Sequence, residues 1–271
     1  MHVRSIGLTP VKGGRHTAYA ALDLDTSGPV GDRVFCLIDP AARRVLRTVE
    51  HPALLTLSWR WSHGVLRMDG PGGTIEAAPV LGDRIVVDYW GRPAEVSLVD
   101  GPWSAACARL LGRDVALARA EAGDVVYGDA VTIVTTSSLD GLVALLDASD
   151  LPLGGGEAAA GADLLFDRFR ATLLIDTGHV VASEYASEHA SEHAWVGATL
   201  HVGSAVLRVT GTVPRCAVID LDPLTGRRDL PVLRTLVADQ RPAAGAEPRF
   251  GLQAQVERPG RVAAGDRADF R

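Results

Sequence analysis

Cys216 has the widest chemical range of any residue in this chain, because a thiolate can act as a nucleophile or bind a soft metal. It stands in Thr212-Val-Pro-Arg-Cys and is followed by Ala-Val-Ile-Asp-Leu-Asp-Pro-Leu-Thr-Gly226. A cysteine that opens a strand just after a Pro-Arg turn can point its sulfur into a pocket at a barrel mouth. The commoner fate of a lone cysteine is a buried core thiol, by about two to one. Arg215 beside it, and Arg33 and Arg170 at other expected strand edges, carry the forked donors that grip a phosphate. Single arginines are more often solvated, and spacing alone leaves both readings open.

A second pattern is His189-Ala-Ser-Glu192-His193. It spells H-x-x-E-H, in which two histidines one helical turn apart share a zinc. Here it arises inside a tandem run, ASEY-ASEH-ASEH over residues 182–193. On a helix the four-residue step gathers Tyr185, His189 and His193 on one face, and Glu184, Glu188 and Glu192 on another. No third ligand is evident, so a solvated, partly helical insertion is the expectation.

These residues must be positioned by mostly short elements. The 29 glycines and 15 prolines punctuate apolar segments at 3–8, 18–25, 33–39, 54–61, 85–89 and 94–98, all of which read as strands. In this first half only Trp103–Leu111 has helical spacing; Cys107 on it reads as core helix, and Cys36 on the strand expected at 33–39 as core strand. Beyond Asp124, a strand is expected at 132–136, then a helix capped by Ser137 or Ser138 and running to Ala148. Residues 154–162, GGGEAAAGA, are a loop by composition. Strands resume at 171–176, 200–202, 206–210, 216–221, 253–257 and 267–270, with a short helix at 232–238. Strands without regular intervening helices argue against a doubly wound nucleotide fold. No phosphate loop appears, since Gly13-Gly14 after Lys12 does not make one.

Composition sets the outer limits. Apolar residues make up 47% and charged residues 22% of the 271, the balance of a folded protein. Lysine plus arginine is 27 and aspartate plus glutamate 33, a net charge of −6. That argues against a general nucleic-acid binder but allows a local basic pocket. No apolar run reaches the length of a membrane span. Pro10, Lys12 and Arg15 interrupt any secretory core. Three widely spaced cysteines, Cys36, Cys107 and Cys216, fit a reducing cytoplasm.

Taken in order, several stretches resemble the MOSC superfamily, the molybdenum-cofactor sulfurase C-terminal domain, preceded by its β-rich N-terminal partner. They are Pro10-Val11-Lys12-Gly13, Gly31-Asp32-Arg33-Val34-Phe35, Asp167-Arg168-Phe169-Arg170 and Pro214-Arg215-Cys216. Leu221-Asp222-Pro223-Leu224-Thr225-Gly226, Leu233-Arg234-Thr235-Leu236, Phe250-Gly251 and residues 259–266 then follow the family's C-terminal order. The resemblance implies a mainly β fold with a few short helices (α+β). It implies two β-barrel-like domains, here over residues 1–124 and 125–271.

The best-understood similar proteins reduce amidoximes and hydroxylaminopurines with a molybdopterin cofactor between the two domains. Carried over, Cys216 is the catalytic residue and molybdenum ligand. Lys12 and Arg33 hold the cofactor's phosphate, and Gly13, Thr135, Arg170, Thr172 and Arg215 are further cofactor contacts. The chain departs from the family pattern at Ala171 and Thr172. It also departs at Arg47-Thr48-Val49-Glu50, where a basic pocket residue is missing and Glu50 is expected to repel a phosphate unless it points away.

The function expected is a molybdenum-cofactor oxidoreductase that reduces N-hydroxylated compounds. Its partners would be a small-molecule substrate and a separate electron donor, because no flavin, haem or iron–sulfur signature is present; neither nucleic acid nor membrane is expected. Two alternatives stay open: sulfur transfer through Cys216 as nucleophile or persulfide carrier, and a molybdopterin-binding carrier without turnover.

Overall fold

The structure is a computed structural model that describes residues 1–121, 123–147, 165–178, 192, 194–241 and 245–271. The first strands are β1 (His2–Leu8), β2 (Val11–Lys12), β3 (Thr17–Tyr19), β4 (Ala21–Asp25), β5 (Gly28–Pro29), β6 (Phe35–Asp39) and β7 (Arg44–Val45). β8 (Ser58–Ser62), β9 (Val65–Gly70), β10 (Gly73–Ala77), β11 (Val80–Tyr89) and β12 (Arg92–Asp100) lead to helix α1 (Trp103–Leu111) and β13 (Ala116–Ala120). The second half contains β14 (Val131–Thr135), α2 (Thr136–Asp147), β15 (Leu173–Asp176), β16 (Thr199–Val202) and β17 (Ala205–Pro214). It ends with α3 (Val232–Gln240), β18 (Arg249–Arg258), β19 (Gly260–Ala263) and β20 (Ala268–Phe270).

Five strands, β6, β7, β11, β12 and β13, close into a barrel because β13 pairs with both β12 and β6. Strand alternation explains its two cores. Cys36 and Ile38 pack inside with Tyr89, Val96 and Ala118. Phe35, Leu37 and Leu117 point the other way, onto Trp59, Met68, Trp103 and Cys107. Both faces of β6 are therefore covered, which is why its sequence reads as a continuous apolar run. Cys36 and Cys107 are core, as expected.

The larger sheet runs β20-β16-β17-β18-β14-β15-β1-β3. Its β20 end returns to β1 through the His2–Arg267 bridge, with Val3 N donating to Asp266 O at 2.8 Å and Ala268 N to Met1 O at 3.1 Å. Ile6, Ile133, Leu173, Leu207 and Leu252 lie in its core. Val134 and Leu174 face outward to α2, α3 and the helical residues 165–169. The sequence boundary expected at residue 124 separates the closed barrel from most of this sheet. Yet β1 pairs with β15 and β4 with β19, so these two N-terminal strands are built onto strands of the second half, while β2 between them joins β6. No described helix is long and apolar enough to cross a membrane.

Four local expectations need correction. The strand expected at 54–61 is a 3₁₀ helix, Pro52–Thr56, followed by β8. Pro52 suits a first helical turn, and neighbours Leu54 and Leu55 are both buried. The strand expected at 18–25 divides at Ala20, because β3 bonds to β1 and β4 to β19. The strand expected at 216–221 is a 3₁₀ helix, Ala217–Asp220, with Cys216 as its N-cap residue. Asp220 holds that turn, its carboxylate accepting from Leu233 N at 2.7 Å and pairing with Arg228. Finally, α2 is capped by Thr135, whose Oγ1 accepts from Ser138 N at 3.2 Å, rather than by Ser137 or Ser138. The strand runs directly into the helix, so its last hydroxyl is the one that reaches the third amide. The loop at 154–162 and the repeat at 182–193, Glu192 excepted, lie outside the described residues.

Candidate active site

Backbone pairing brings the first two cations together. β2 lies parallel to β6, with Lys12 opposite Cys36. Arg33 N donates to Thr9 O at 2.8 Å, and Phe35 N to Pro10 O at 3.0 Å. Arg33 has a left-handed backbone, φ 49°. Its Nη1 is 2.5 Å from Asp32 Oδ2, and Asp32 Oδ1 accepts from Thr9 N at 2.8 Å. Asp32 thereby fixes both the turn and the direction of the guanidinium.

Arg170 terminates the helical residues 165–169, its N–H donating to Phe166 O at 3.0 Å, and is also left-handed at φ 52°. Arg215 and Cys216 follow the end of β17, where Arg215 N donates to Pro248 O at 2.9 Å. The Arg215 guanidinium sits over the Phe169 ring at 4.9 Å, and Phe169 stacks on Phe250 at 4.3 Å. Its Nε donates to Phe250 O at 2.8 Å and its Nη1 to Phe169 O at 3.1 Å, while Nη2 is buried without a partner among the described residues.

Lys12, Arg33, Arg170, Arg215 and Cys216 line one cavity of about 240 Å³. The Cys216 side chain is exposed to it, unlike the two core cysteines. A buried-thiol reading of Cys216 therefore does not hold. Burial, reinforced by Arg33 and Arg170, pushes the Lys12 ammonium well below its usual range. Burial also lowers Arg170 and Arg215 to about 10; Arg33 adds to both shifts, whereas Cys216 opposes them. Cations that depress one another in a cavity make an anion site. The Lys12 ammonium rests over the Tyr89 ring at 5.2 Å and makes no ion pair among the described residues.

Three sequence-expected contacts are not on the cavity wall. Thr135 is buried beneath α2, donating from Oγ1 to Glu192 Oε1 at 2.8 Å. Thr172 exchanges bonds with Thr132 at the start of the β14–β15 pair: Thr132 N donates to Thr172 Oγ1 at 3.2 Å, and Thr172 N to Thr132 O at 2.8 Å. Gly13, at φ 89°, lies behind the wall, where a Cβ would press on Leu54 and the lining residue Thr48. Glu50 turns away onto Arg44 and Arg47, at 3.1 and 3.5 Å. Arg47 also lines the cavity, with its guanidinium 4.1 Å above Trp90 and paired to Glu50.

Trp90, Tyr127 and Arg168 are further lining residues that the sequence did not single out. Trp90 is left-handed at φ 56° and 47% exposed, with Tyr127 61% exposed and 6.2 Å away. Exposed aromatics at a turn tip were the available signal for this rim. Arg168 is bidentate to Asp229 at 2.7 and 2.5 Å, so its charge is already matched.

The residues fit a phosphate-bearing, soft-metal cofactor: among the described residues Arg215 Nη2 is a buried donor without a partner and Lys12 an ammonium without an ion pair, and Cys216 is an accessible thiol. A protein-family model, the MOSC domain, matches residues 122–269. The crystal structure of the YuaD protein from Bacillus subtilis is similar at 13% identity and a TM-score of 0.44, over 99% of this chain and 94% of that one. The solution structure of a protein from Bordetella bronchiseptica is similar at 15% identity and a TM-score of 0.28, over 38% of this chain and 89% of that one. No curated protein matches the chain.

Proposed function

This chain belongs to the MOSC domain family, and from that premise we propose that it is a molybdenum-cofactor oxidoreductase reducing N-hydroxylated compounds, with Cys216 as the metal ligand. The observation that carries the reading is the meeting of one accessible thiol with Lys12, Arg33, Arg170 and Arg215 on a single cavity wall. Lys12, Arg33 and Arg170 would hold the cofactor's phosphate by charge-assisted bonds. Arg215 would contribute its free Nη2. When bound, the cofactor supplies two-electron redox chemistry. Asp32 keeps Arg33 aimed, Tyr89 backs Lys12, and Trp90 and Tyr127 border the opening through which a small substrate enters. Electrons would come from a separate donor protein.

The same exposed thiol among cations also favours a persulfide anion, which keeps sulfur transfer as the second reading. Protein made in a cofactor-competent host tests both. The proposal expects molybdenum, pterin fluorescence and donor-dependent reduction of a hydroxylamine or amidoxime in the native protein. Cys216→Ser, in which oxygen replaces soft sulfur, should lose the reduction while keeping most of the pterin. Persulfide on Cys216 without molybdenum would favour sulfur transfer, and undiminished reduction in Cys216→Ser would reject both.

A further inference from the structure

We propose that Trp90 and Tyr127 are specificity-determining residues that stack a flat aromatic group of the substrate, so that the N-hydroxylated compounds reduced at this site are aryl or heteroaryl ones; this rests on the reading of the site given above. Tyr89 pairs with Arg92 across the β11–β12 hairpin, which leaves Trp90 and Gly91 as a two-residue turn with φ 56° and 81°. Such a turn favours Asn-Gly, and a bulky side chain in it is strained. The other four tryptophans, Trp59, Trp61, Trp103 and Trp195, are buried or half-buried, whereas Trp90 is 47% exposed. A strained backbone that holds an indole out in water, on the wall of the Cys216 cavity, points to a ligand for that ring.

The ring is held in place before any ligand arrives. The Arg47 guanidinium covers it at 4.1 Å, and Tyr127, 61% exposed, stands 6.2 Å away at an angle of 50°. Arg92 joins the two: its guanidinium lies 4.9 Å from the Tyr89 ring, and its Nη2 donates to Asp124 O at 3.4 Å and to Val126 O at 2.5 Å, next to Tyr127. A Cβ on Gly91 would meet nothing within 4 Å, so the space beside the turn is open. Charge gives the substituent no preferred sign. Arg47 pairs with Glu50 at 3.5 Å and Arg168 with Asp229 at 2.5 Å, while Asp129 bonds to Thr210 and Gln255, and Glu247 lines the same cavity. Selection therefore falls to shape and to the π face. A flat ring gains stacking beyond the area it buries, and a saturated ring of the same size gains only the area.

The test uses the cofactor-loaded full chain and two amidoximes alike in size and reacting group, one phenyl-substituted and one cyclohexyl-substituted. The native protein should favour the phenyl compound by roughly tenfold in kcat/KM, through KM rather than kcat. Trp90→Leu should lose that preference, and Trp90→Phe should keep most of it. A second arm needs no turnover. Benzamide and cyclohexanecarboxamide, which carry no N-hydroxyl group, are titrated into the same protein. The benzamide ring protons should move upfield in the NMR spectrum, by ring current, in the native protein and in Trp90→Phe but not in Trp90→Leu. Should Trp90→Leu fail to fold, Tyr127→Leu takes its place in both arms. If neither amidoxime is reduced while benzamide still shifts, the aromatic subsite is supported and only the reaction assigned to Cys216 fails. Equal kcat/KM for the two amidoximes in the native protein, a preference undiminished in the leucine variant, or benzamide protons that do not shift overturns the proposal.

Discussion

Asp32 and Arg33 are chain neighbours whose side chains bond to each other at 2.5 Å, in the one turn where Arg33 adopts φ 49°. Side chains of adjacent residues seldom face one another, and here the left-handed backbone turns them together. The Asp32 carboxylate is nearly buried and also holds Thr9 N. One acidic group thus pins the turn that aims a cation at Cys216.

Asp32→Asn should therefore cost about 2–3 kcal/mol, since it loses a charge-assisted bond and leaves Arg33, Lys12 and Arg170 without that negative charge. Urea denaturation measures it. A loss below about half a kcal/mol would mean the pair is structurally idle.

Gly226→Ala tests how the Cys216-bearing segment is held. Gly226 has φ 70°, and a Cβ there would run into the Pro52 carbonyl. Arg15 clasps the same junction, donating to Leu55 O at 3.1 Å and Leu224 O at 3.2 Å. Strain and overlap together should lower stability by about 2 kcal/mol or more. A melting temperature unchanged by the substitution would contradict this contact.

Thiol labelling should count one reactive cysteine per native chain. Burial pushes Cys36 and Cys107 up to about 12, so both stay protonated and shielded near neutrality. Mass spectrometry should find the first label on Cys216, and all three only after unfolding. Early label on Cys107 would refute the packing of α1 described here.

His16 predicts an acid-sensitive fold. It is buried against Phe166, beside Arg170 and Arg33, and is lowered from 6.5 to about 3, with burial the main cause. The unfolded chain therefore binds a proton that the folded chain refuses. Its contribution is present above pH 6.5 and is lost as pH falls toward 3, by about 2 kcal/mol between pH 7 and pH 5. Urea midpoints at the two pH values should converge in His16→Gln relative to the native protein; an identical pH dependence would refute the assignment.

By sequence alone, the chain determined its β character, the two core cysteines and four of the cavity's cations, though not Arg47 or Arg168. Alternating apolar residues dictate which face of a strand is buried, and Lys12, Arg33, Arg170, Arg215 and Cys216 were all legible in their motifs. Tertiary structure decided which of them meet. Parallel pairing of β2 with β6 sets Lys12 near Arg33, and the end of β17 brings Arg215 and Cys216 to the same wall. Thr135 and Thr172 sit in equally suggestive stretches, but their hydroxyls are consumed by Ser138, Glu192 and Thr132. A backbone N–H donor or a buried carboxylate competes for a hydroxyl as well as a ligand does, and strand patterns do not reveal that competition. Nothing in the repeat marks Glu192 apart from Glu184 and Glu188. Its burial depends on Thr135, 57 residues earlier, and a contact of that sequence separation is specified only once the chain has folded.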